Sequence, residues 1–358
     1  LWAVPLYMAG ASLREFLLAA HAGLDSYPRR AVALLAFALA QAGFVYALVW
    51  QPAAGLAWAA AAVLLAHAAG ALVCWMLLPV GKRPRLDVAG YRAAARFALP
   101  LWGNNFFNLL YHRVDTLLVY SLLGAATAGL YEVGAKKMPA YATGLLNAGL
   151  TPYLPSASAL AANGDAPRAV RLLSLAYRAV GVAAYTAAFA LAALSAPLIT
   201  LLLSAEYIVA PGLVLLVAMA GALHVQAGLF GQSLIARGHP EQVARINVSV
   251  AVPTLLLAAL LLPTLGMWGA ALAAMAGAGA SCAWQMLALG RRGLAVPGRH
   301  GWTQQAAMAP CLLGALLAGS AGACAVAGGI FLGTVLGAGV IERAHLAPLR
   351  HLVPGTRR

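Results

Sequence analysis

The chain has 358 residues, of which 63% are hydrophobic and only 9% are charged, against roughly a quarter in a typical soluble domain. This composition excludes a soluble globular protein, because no ordinary core needs so much apolar sequence. The formal net charge is +14, which is compatible with nucleic-acid binding, but the positions of the basic residues argue for membrane topology instead.

Apolar runs long enough to cross a bilayer core of about 30 Å recur along the whole chain. They are rich in Ala, Leu and Gly and do not alternate at period two, which favours helices over barrel strands. The sequence therefore predicts an all-α, polytopic membrane protein with about eleven transmembrane helices. The predicted spans are 1–22, 31–50, 56–79, 98–122, 128–156, 179–203, 210–234, 246–264, 267–290, 306–322 and 325–341.

Basic residues occupy alternate connections between these spans, from Arg29 near the start to Arg358 at the end. The positive-inside rule predicts that these connections are cytoplasmic. The positive charge is then explained by topology and by attraction to anionic lipid, rather than by a nucleic-acid site. The intervening turns contain no Lys or Arg: 51–55, 124–129, 204–212 and 265–266.

A weak internal repeat divides the chain. The stretch from Phe16 aligns with the stretch from Phe230 in the order span, basic turn with Gly, span, as in transporters built from parallel repeats. Because the second unit has six predicted spans and the first has three, we expect about three spans to be missing ahead of residue 1. The predicted segments are 1–80, a remnant of a first helix bundle; 81–97, a basic cytoplasmic linker; 98–290, a second six-helix bundle; and 291–358, a C-terminal helix hairpin with a basic tail.

The linker 81–97 has two interpretations. It is either an interfacial amphipathic helix, with Val88 and Tyr91 on its apolar side, or an ordinary charged loop. Lys82 does not belong to a phosphate-binding loop, since the Ser or Thr that follows such a lysine and the upstream glycine are both missing.

Residues 304–340 are apolar over a length that is long for one span and short for two. Basic segments flank this run on both sides, and both are predicted to be cytoplasmic, which requires an even number of crossings. We therefore predict an antiparallel helix hairpin with its turn in 322–329, outside the transport cavity and dispensable for its chemistry. A single long tilted helix is the alternative.

The stretch 97–137 reads as two spans joined by the uncharged turn 124–129, yet it carries five ionisable residues. A charge at membrane depth costs about 3 kcal/mol even on insertion scales, so such residues are kept when they pair, face water or have a function. An antiparallel hairpin brings these positions to one level, which makes them the first candidate site. They are Arg113, Asp115, Glu132, Lys136 and Lys137.

Four polar residues in the first of these spans share one helical face, at spacings i, i+4, i+7 and i+11. Such a ridge faces either a partner helix, as hydrogen-bonding glue, or a water-filled cavity. Arg113 points nearly the opposite way, and Glu132 and Lys136 form an i, i+4 pair that could simply neutralise both charges. The ridge consists of Asn104, Asn108, Tyr111 and Asp115.

No pattern of catalytic or metal-ligating residues stands out. His67 and His224 each lie in the middle of a predicted span, where a lone histidine is usually satisfied by a backbone carbonyl. The sequence has no nucleophile with its base, no metal cluster and no paired catalytic carboxylates, so we expect a non-enzyme without cofactor or metal. The four cysteines are scattered and are predicted to be inert packing residues: Cys74, Cys282, Cys311 and Cys324.

Four motifs resemble the polysaccharide biosynthesis protein family, with the resemblance running from about residue 10 to 295. That family holds flippases for O-antigen and other lipid-linked oligosaccharides, in a superfamily shared with lipid II flippases and multidrug and toxic compound extrusion transporters. The resemblance implies two six-helix bundles around a central cavity, in a bacterial cytoplasmic membrane. The motifs are YHRVDTLLVYSLLGAATAGLYEVGAKK (111–137), TPYLPSASAL (151–160), LIARGHPEQVARINVSV (234–250) and LGMWGAALAAMAGA (265–278).

The expected function is outward movement of an oligosaccharide on an undecaprenyl pyrophosphate carrier, for surface polysaccharide assembly. The expected partners are that lipid-linked oligosaccharide, membrane lipids, and a glycan polymerase or glycosyltransferases. Two alternatives remain: a drug-cation antiporter, which favours acidic groups in its cavity, and a membrane-embedded polymerase or transferase, which needs a large catalytic loop. The hypothetical roles are diphosphate binding by Arg113, Lys136 and Lys137, sugar binding by Asn104, Asn108 and Tyr111, and coupling of a proton or sodium ion by Asp115 or Glu132.

Overall fold

The computed structural model describes residues 3–23, 27–50, 55–78, 113–294 and 299–340, together with positions 92 and 99. These residues form helices joined by short turns, and the described part of the chain contains no strand. The predicted all-α fold is therefore confirmed. The linker 81–97 lies outside the described residues except for Arg92.

The protein is a membrane protein. Four of its described helices are long and apolar enough to cross a bilayer: Ala166–Ala193, Pro211–Ala236, Pro240–Leu265 and Met267–Gly290. Large apolar side chains such as Leu145, Leu201 and Leu317 lie exposed on the outside of the helices, where lipid rather than water is their natural solvent. The total of about eleven spans and the layout as two bundles remain predictions.

The chain divides into two compact units, Leu1–Asp87 and Val88–Arg358. The described residues of the first unit form three helices packed on one another, α1 (Ala3–Gly23), α2 (Tyr27–Trp50) and α3 (Gly55–Leu77). Its core includes Leu17, Leu18, Ala33, Ala71 and Cys74.

Apart from positions 92 and 99, the second unit is described over residues 113–294 and 299–340. Its central helix is α10, which packs against α6, α7, α8, α11 and α12 and is buried along most of its length. The helices are α4 (113–123 in its described part), α5 (Ala125–Gly129), a π-helix (Leu130–Lys136), α6 (Lys137–Gly149), α7 (Tyr153–Ala162), α8 (Ala166–Ala193), α9 (Ser195–Leu202), a 3-10 turn (Ala205–Tyr207), α10 (Pro211–Ala236), α11 (Pro240–Leu265), α12 (Met267–Gly290), α13 (Arg299–Ala318) and α14 (Ala321–Gly337).

Several predicted spans of this unit differ from the helices in their boundaries, and two differ most. The run 128–156 is not one helix, because α6 ends at Gly149 and a turn through Thr151 and Pro152 precedes α7. Proline lacks the N–H that a continuing helix needs, so a break between α6 and α7 at Pro152 is consistent with the sequence. The run 179–203 starts too late and ends too late: α8 begins at Ala166, capped by the Asp165 side chain, and it stops before Leu194. In contrast, α12 has the predicted bounds 267–290.

The turn between α4 and the next helix is shorter than predicted. Only Gly124 leaves the helical conformation, with φ +88°, and the helix resumes at Ala125 instead of after residue 129. A positive φ is readily adopted by glycine alone, whereas the alanines that follow favour helix. The predicted uncharged turn 124–129 is therefore mostly helical.

The run 304–340 contains two helices, since α13 and α14 pack on each other and are separated by two residues. The turn lies at Gly319 and Ser320, ahead of the predicted 322–329, because Gly319 adopts φ +64° and the Ser320 side chain caps α14. The pair also packs on α8 through Phe331, which contacts Tyr185. Whether the hairpin is dispensable for transport stays a prediction.

The hairpin is hydrogen-bonded into the interior of the second unit. Gln305 on α13 accepts a hydrogen bond from the Tyr185 hydroxyl at 2.8 Å. Its amide nitrogen donates to the Tyr177 hydroxyl at 2.7 Å and to Gln226 Oε1 at 3.0 Å. Buried polar groups need such partners, so α13 supplies part of the polar interior of α8 and α10.

Candidate functional site

The candidate site is built where the chain reverses direction at Gly124. Asp115 lies nine residues before this glycine on α4, and Lys136 lies twelve residues after it, at the end of the π-helix. The reversal brings the two positions together, as the sequence predicted for an antiparallel hairpin. The structure thus joins four of the five predicted ionisable residues in one cluster: Arg113, Asp115, Glu132 and Lys136.

Lys136 pairs more closely with Asp115 on α4 than with Glu132, which lies four residues before it. Its Nζ lies 2.9 Å from Asp115 Oδ1 and 3.0 Å from Oδ2, whereas Glu132 Oε2 is 3.6 Å away. The Lys136 and Asp115 side chains are only 18% and 13% exposed. Electrostatic attraction between such poorly hydrated charges is stronger than at a surface, so this pair holds α4 against the π-helix. The predicted i, i+4 pair of Glu132 and Lys136 exists, but it is the longer contact.

Thr116 connects the two carboxylates. Its hydroxyl accepts a hydrogen bond from Lys136 Nζ at 3.0 Å and donates to Glu132 Oε2 at 2.8 Å. Its backbone N–H donates to Asp115 Oδ1 at 2.7 Å. Each acidic group in the cluster therefore has a second partner besides a cation, which is what a charge taken out of water requires.

Arg113 lies at the edge of the cluster, with a side chain that is 68% exposed. Its guanidinium lies 3.6 Å from Glu132 Oε1. Arg113 therefore contacts Glu132, although the helical spacing places it away from the face of α4 that carries Asp115. Lys137 is exposed and begins α6. The cluster of Arg113, Asp115, Glu132 and Lys136 has two positive and two negative groups and is formally neutral.

The π-helix explains why Tyr131 joins this cluster. In a regular α-helix, Tyr131 and Lys136 are five residues and about 140° apart around the axis. The i→i+5 hydrogen bonding of a π-helix brings such positions onto one face. Accordingly the Tyr131 hydroxyl donates to Asp115 Oδ2 at 3.2 Å, beside the Lys136 contact. The π-helix therefore brings both Tyr131 and Lys136 into contact with Asp115.

Gly134 lets the π-helix approach its neighbour. A Cβ at this position would overlap the carbonyl oxygen of Tyr207 and lie 3.0 Å from Val209 Cγ1. The 3-10 turn Ala205–Tyr207 therefore packs directly on the π-helix backbone, and only glycine fits the contact.

A cavity of about 380 Å³ lies within the second unit, beside the Asp115 and Lys136 pair. Its walls come from α4, the π-helix, α6, α10, α11 and α12. Small side chains, mostly alanine, leave the space open. The polar lining residues are Asp115, Tyr131, Lys136, Thr143, Asn147, His224 and Thr254.

Sequence reasoning did not assign Thr116, Thr143, Asn147 or Thr254 to the site, and it interpreted His224 as structural. One signal could have found part of this wall. Lys136, Ala140, Thr143 and Asn147 follow the spacing i, i+4, i+7 and i+11, the same face pattern as the ridge on the preceding span, and all four line the cavity. The contributions of α10 and α11 have no such signal, since they depend on which helices are neighbours.

The remaining predicted site residues, Asn104, Asn108 and Tyr111, lie outside the described residues. Their roles stay predictions.

Comparison with known proteins adds one match. The model of a family described as "Polysaccharide biosynthesis protein" matches residues 28–211, slightly more than half of the chain. The matched region runs from the start of α2 to the start of α10 and contains the whole charged cluster. A search of curated proteins found no match.

Proposed function

The chain belongs to the polysaccharide biosynthesis protein family, and from this membership we propose that it is a flippase for a lipid-linked oligosaccharide. The proposed site of action is the bacterial cytoplasmic membrane, where the protein moves glycan on an undecaprenyl pyrophosphate carrier outward for surface polysaccharide assembly. The observation that supports this proposal is a group of four ionisable side chains beside a cavity with several polar lining residues in a membrane protein.

Such a group is expensive to keep at membrane depth unless it has a function. A purely structural ion pair has no need of an adjoining cavity lined by hydroxyl, amide and imidazole groups. A substrate that combines a diphosphate, a hydroxyl-rich glycan and a lipid tail calls for cations, hydrogen-bonding side chains and apolar surface in one region. This combination of requirements matches the lining of the cavity and its charged end.

The cations differ in how available they are to an anionic carrier. Arg113 is mostly exposed and only loosely paired, so it is the side chain that we propose first meets the diphosphate, with Lys137 as a second exposed cation. Lys136 is engaged by Asp115 and becomes available only when that contact loosens. Asp115 and Glu132, the proposed coupling carboxylates, both contact Lys136, so a coupling ion bound at either of them would compete with Lys136 and free it for the substrate. Sugar contacts are proposed for Asn104, Asn108 and Tyr111.

The two alternatives are less well supported. A drug-cation antiporter would favour an excess of acidic groups, whereas the charged cluster is formally neutral and Lys137 lies next to it in sequence. A polymerase or glycosyltransferase would need a large loop for its catalytic residues. In the part of the chain between 113 and 294, the longest connection between α-helices is only 203–210. We therefore propose a transporter rather than an enzyme.

The test is complementation of a strain that lacks the full-length gene. Arg113→Ala and Lys136→Ala should each reduce surface polysaccharide roughly ten- to hundredfold, the loss expected for one hydrogen bond to a charged group. Leu117→Ala, an exposed position on the same helix, is the matched control and should complement normally. Gel analysis of surface polysaccharide gives the readout, and immunoblots of membranes establish that each variant is inserted. Normal polysaccharide in both charge variants would remove the assignment.

A further inference from the structure

The cavity of the second unit differs in chemistry from its charged end. We propose that it is a binding subsite for one uncharged sugar ring of the glycan, formed by Thr143, Asn147, His224 and Thr254. This inference rests on the proposed flippase function and deepens it, since it assigns a substrate part to residues that otherwise have no role.

At the charged end of the cavity, the charges of Lys136 and Asp115 cancel. The ammonium of Lys136 has three N–H donors, and three acceptor oxygens lie within 3.0 Å of its nitrogen, two on Asp115 and one on Thr116. Its donors are thus satisfied inside the protein. An anion entering this cavity would have to break the pair and leave a carboxylate without its cation, whereas a neutral polar group need not.

The threonine walls are arranged to accept hydrogen bonds. The hydroxyl of Thr143 donates to the carbonyl of Ala140 at 3.0 Å, and that of Thr254 donates to the carbonyl of Val250 at 2.8 Å. A hydroxyl has one proton and two lone pairs, so each oxygen keeps the capacity to accept a hydrogen bond, and both residues line the cavity. Acceptors of this kind suit a ligand rich in O–H donors, and the Asn147 amide supplies both a donor and an acceptor.

The size and access of the cavity fit one ring. About 380 Å³ is near the lower end of the roughly 300–1,000 Å³ typical of small-molecule sites, which excludes a whole oligosaccharide. Alanines on α10 and α12, such as Ala220 and Ala274, give flat apolar walls for the C–H faces of a ring. Asn147 is exposed while Asp115 and Thr254 are buried, so the cavity leads inward from an accessible side.

Two threonines on α11 provide a matched pair of variants. Thr254 lines the cavity, whereas Thr264 is exposed on the same helix and donates in the same way to a backbone carbonyl, that of Leu261. Thr254→Val and Thr264→Val remove the same hydroxyl from the same kind of contact. Only the first removes an acceptor from the cavity.

The experiment is saturation-transfer NMR on the full-length protein in detergent, with glucose, galactose, N-acetylglucosamine and rhamnose as separate probes. At least one sugar should receive saturation on its ring protons, and Thr254→Val should weaken that binding about two- to tenfold, the loss expected for one hydrogen bond. Thr264→Val should leave it unchanged. Ala140→Leu, which fills the cavity from an exposed wall position, should abolish it.

Three outcomes would overturn the subsite: no saturation transfer to any sugar, equal effects of the two threonine variants, or displacement of the sugar by inorganic pyrophosphate. The threonine pair carries the test if Ala140→Leu fails to fold. Complementation separates this inference from the proposed function. Normal surface polysaccharide with Thr254→Val and Ala140→Leu removes the subsite alone, whereas failure of the wild-type gene to restore polysaccharide removes the flippase.

Discussion

Both units of the chain hold a cationic side chain among apolar helices, Arg14 in the first unit and Lys136 in the second. The Arg14 side chain is 13% exposed, and its guanidinium lies 3.9 Å from the centre of the Phe37 ring. Its acidic partner is the neighbouring Glu15, which is 62% exposed. Lys136 instead has its closest acidic partner on another helix, the buried Asp115.

This difference separates a packed cation from a site. Arg14 covers an aromatic face and also lies against Gly70, so its role is explained by the packing of three helices. The Lys136 pair borders a cavity, where a change in the contents or protonation of the cavity changes the pair. Burial of a cation therefore does not by itself indicate a functional site in this protein; the proposed site is marked by the cavity beside its cation.

The largest effect on stability is expected at the pair of Asp115 and Lys136. Lys136→Met leaves Asp115 buried without its cation and should lower the free energy of unfolding by about 3–5 kcal/mol. The double variant Asp115→Asn with Lys136→Met should recover most of that stability, because neither charge remains. Denaturant titration in mixed micelles measures both.

Export is expected to stay lost in the double variant, although its stability recovers. A double variant that exports polysaccharide normally would show that the pair is structural, like Arg14, and would remove the contrast between the two units.

A smaller effect on stability is expected where a glycine packs closely against a neighbouring segment. Gly134→Ala should destabilise the second unit by about 1–3 kcal/mol, because the new methyl group meets the backbone of Tyr207, which cannot rotate away. Gly70→Ala in the first unit meets Phe37 Cδ2 at 3.0 Å, Phe37 Cβ at 3.1 Å and Arg14 Cδ at 3.3 Å. These atoms need to move by only a few tenths of an ångström, so the loss there should be smaller. The same unfolding titrations compare the two.

Gly129→Ala is the control for Gly134→Ala. It lies in the same helical stretch with nothing within 4 Å of the added Cβ, so replacing glycine should stabilise by about 0.5–1 kcal/mol. Similar losses at 129 and 134 would mean that helix type, not the Tyr207 contact, decides the outcome.

The smallest effects are expected in the first unit. Arg14→Met keeps most of the apolar contact with Phe37 and loses the cation–π attraction, which is worth roughly 0.5–2 kcal/mol. Export by the full-length protein should persist, unlike export by Lys136→Met. A complete loss of surface polysaccharide with normal insertion would place Arg14 in a second functional site and contradict its assignment as a packing residue.

Much of the charged cluster could be predicted from position alone. A reversal between two helices places residues at similar distances from the turn at about one level, and this brought Asp115 and Lys136 together as expected. The choice of partners could not be predicted, because the i, i+4 rule favours Glu132 for Lys136. The π-helix and the Tyr131 contact, which give Asp115 its actual partners, have no signature in the residue spacing.

Four features could be predicted from the amino-acid sequence without the structure: the helical class, the long apolar runs of α10, α11 and α12, the two helices of the terminal segment, and the common level of Asp115 and Lys136. These follow from hydropathy, glycine and proline positions and 3.6-residue periodicity, which are properties of the chain. The cavity that α10, α11 and α12 form beside the Asp115 and Lys136 pair could be found only in the folded protein. The physical reason is that a cavity is space left between side chains of several helices, and alanine-rich helices pack in many arrangements of similar local energy, so their neighbours are chosen by the whole fold.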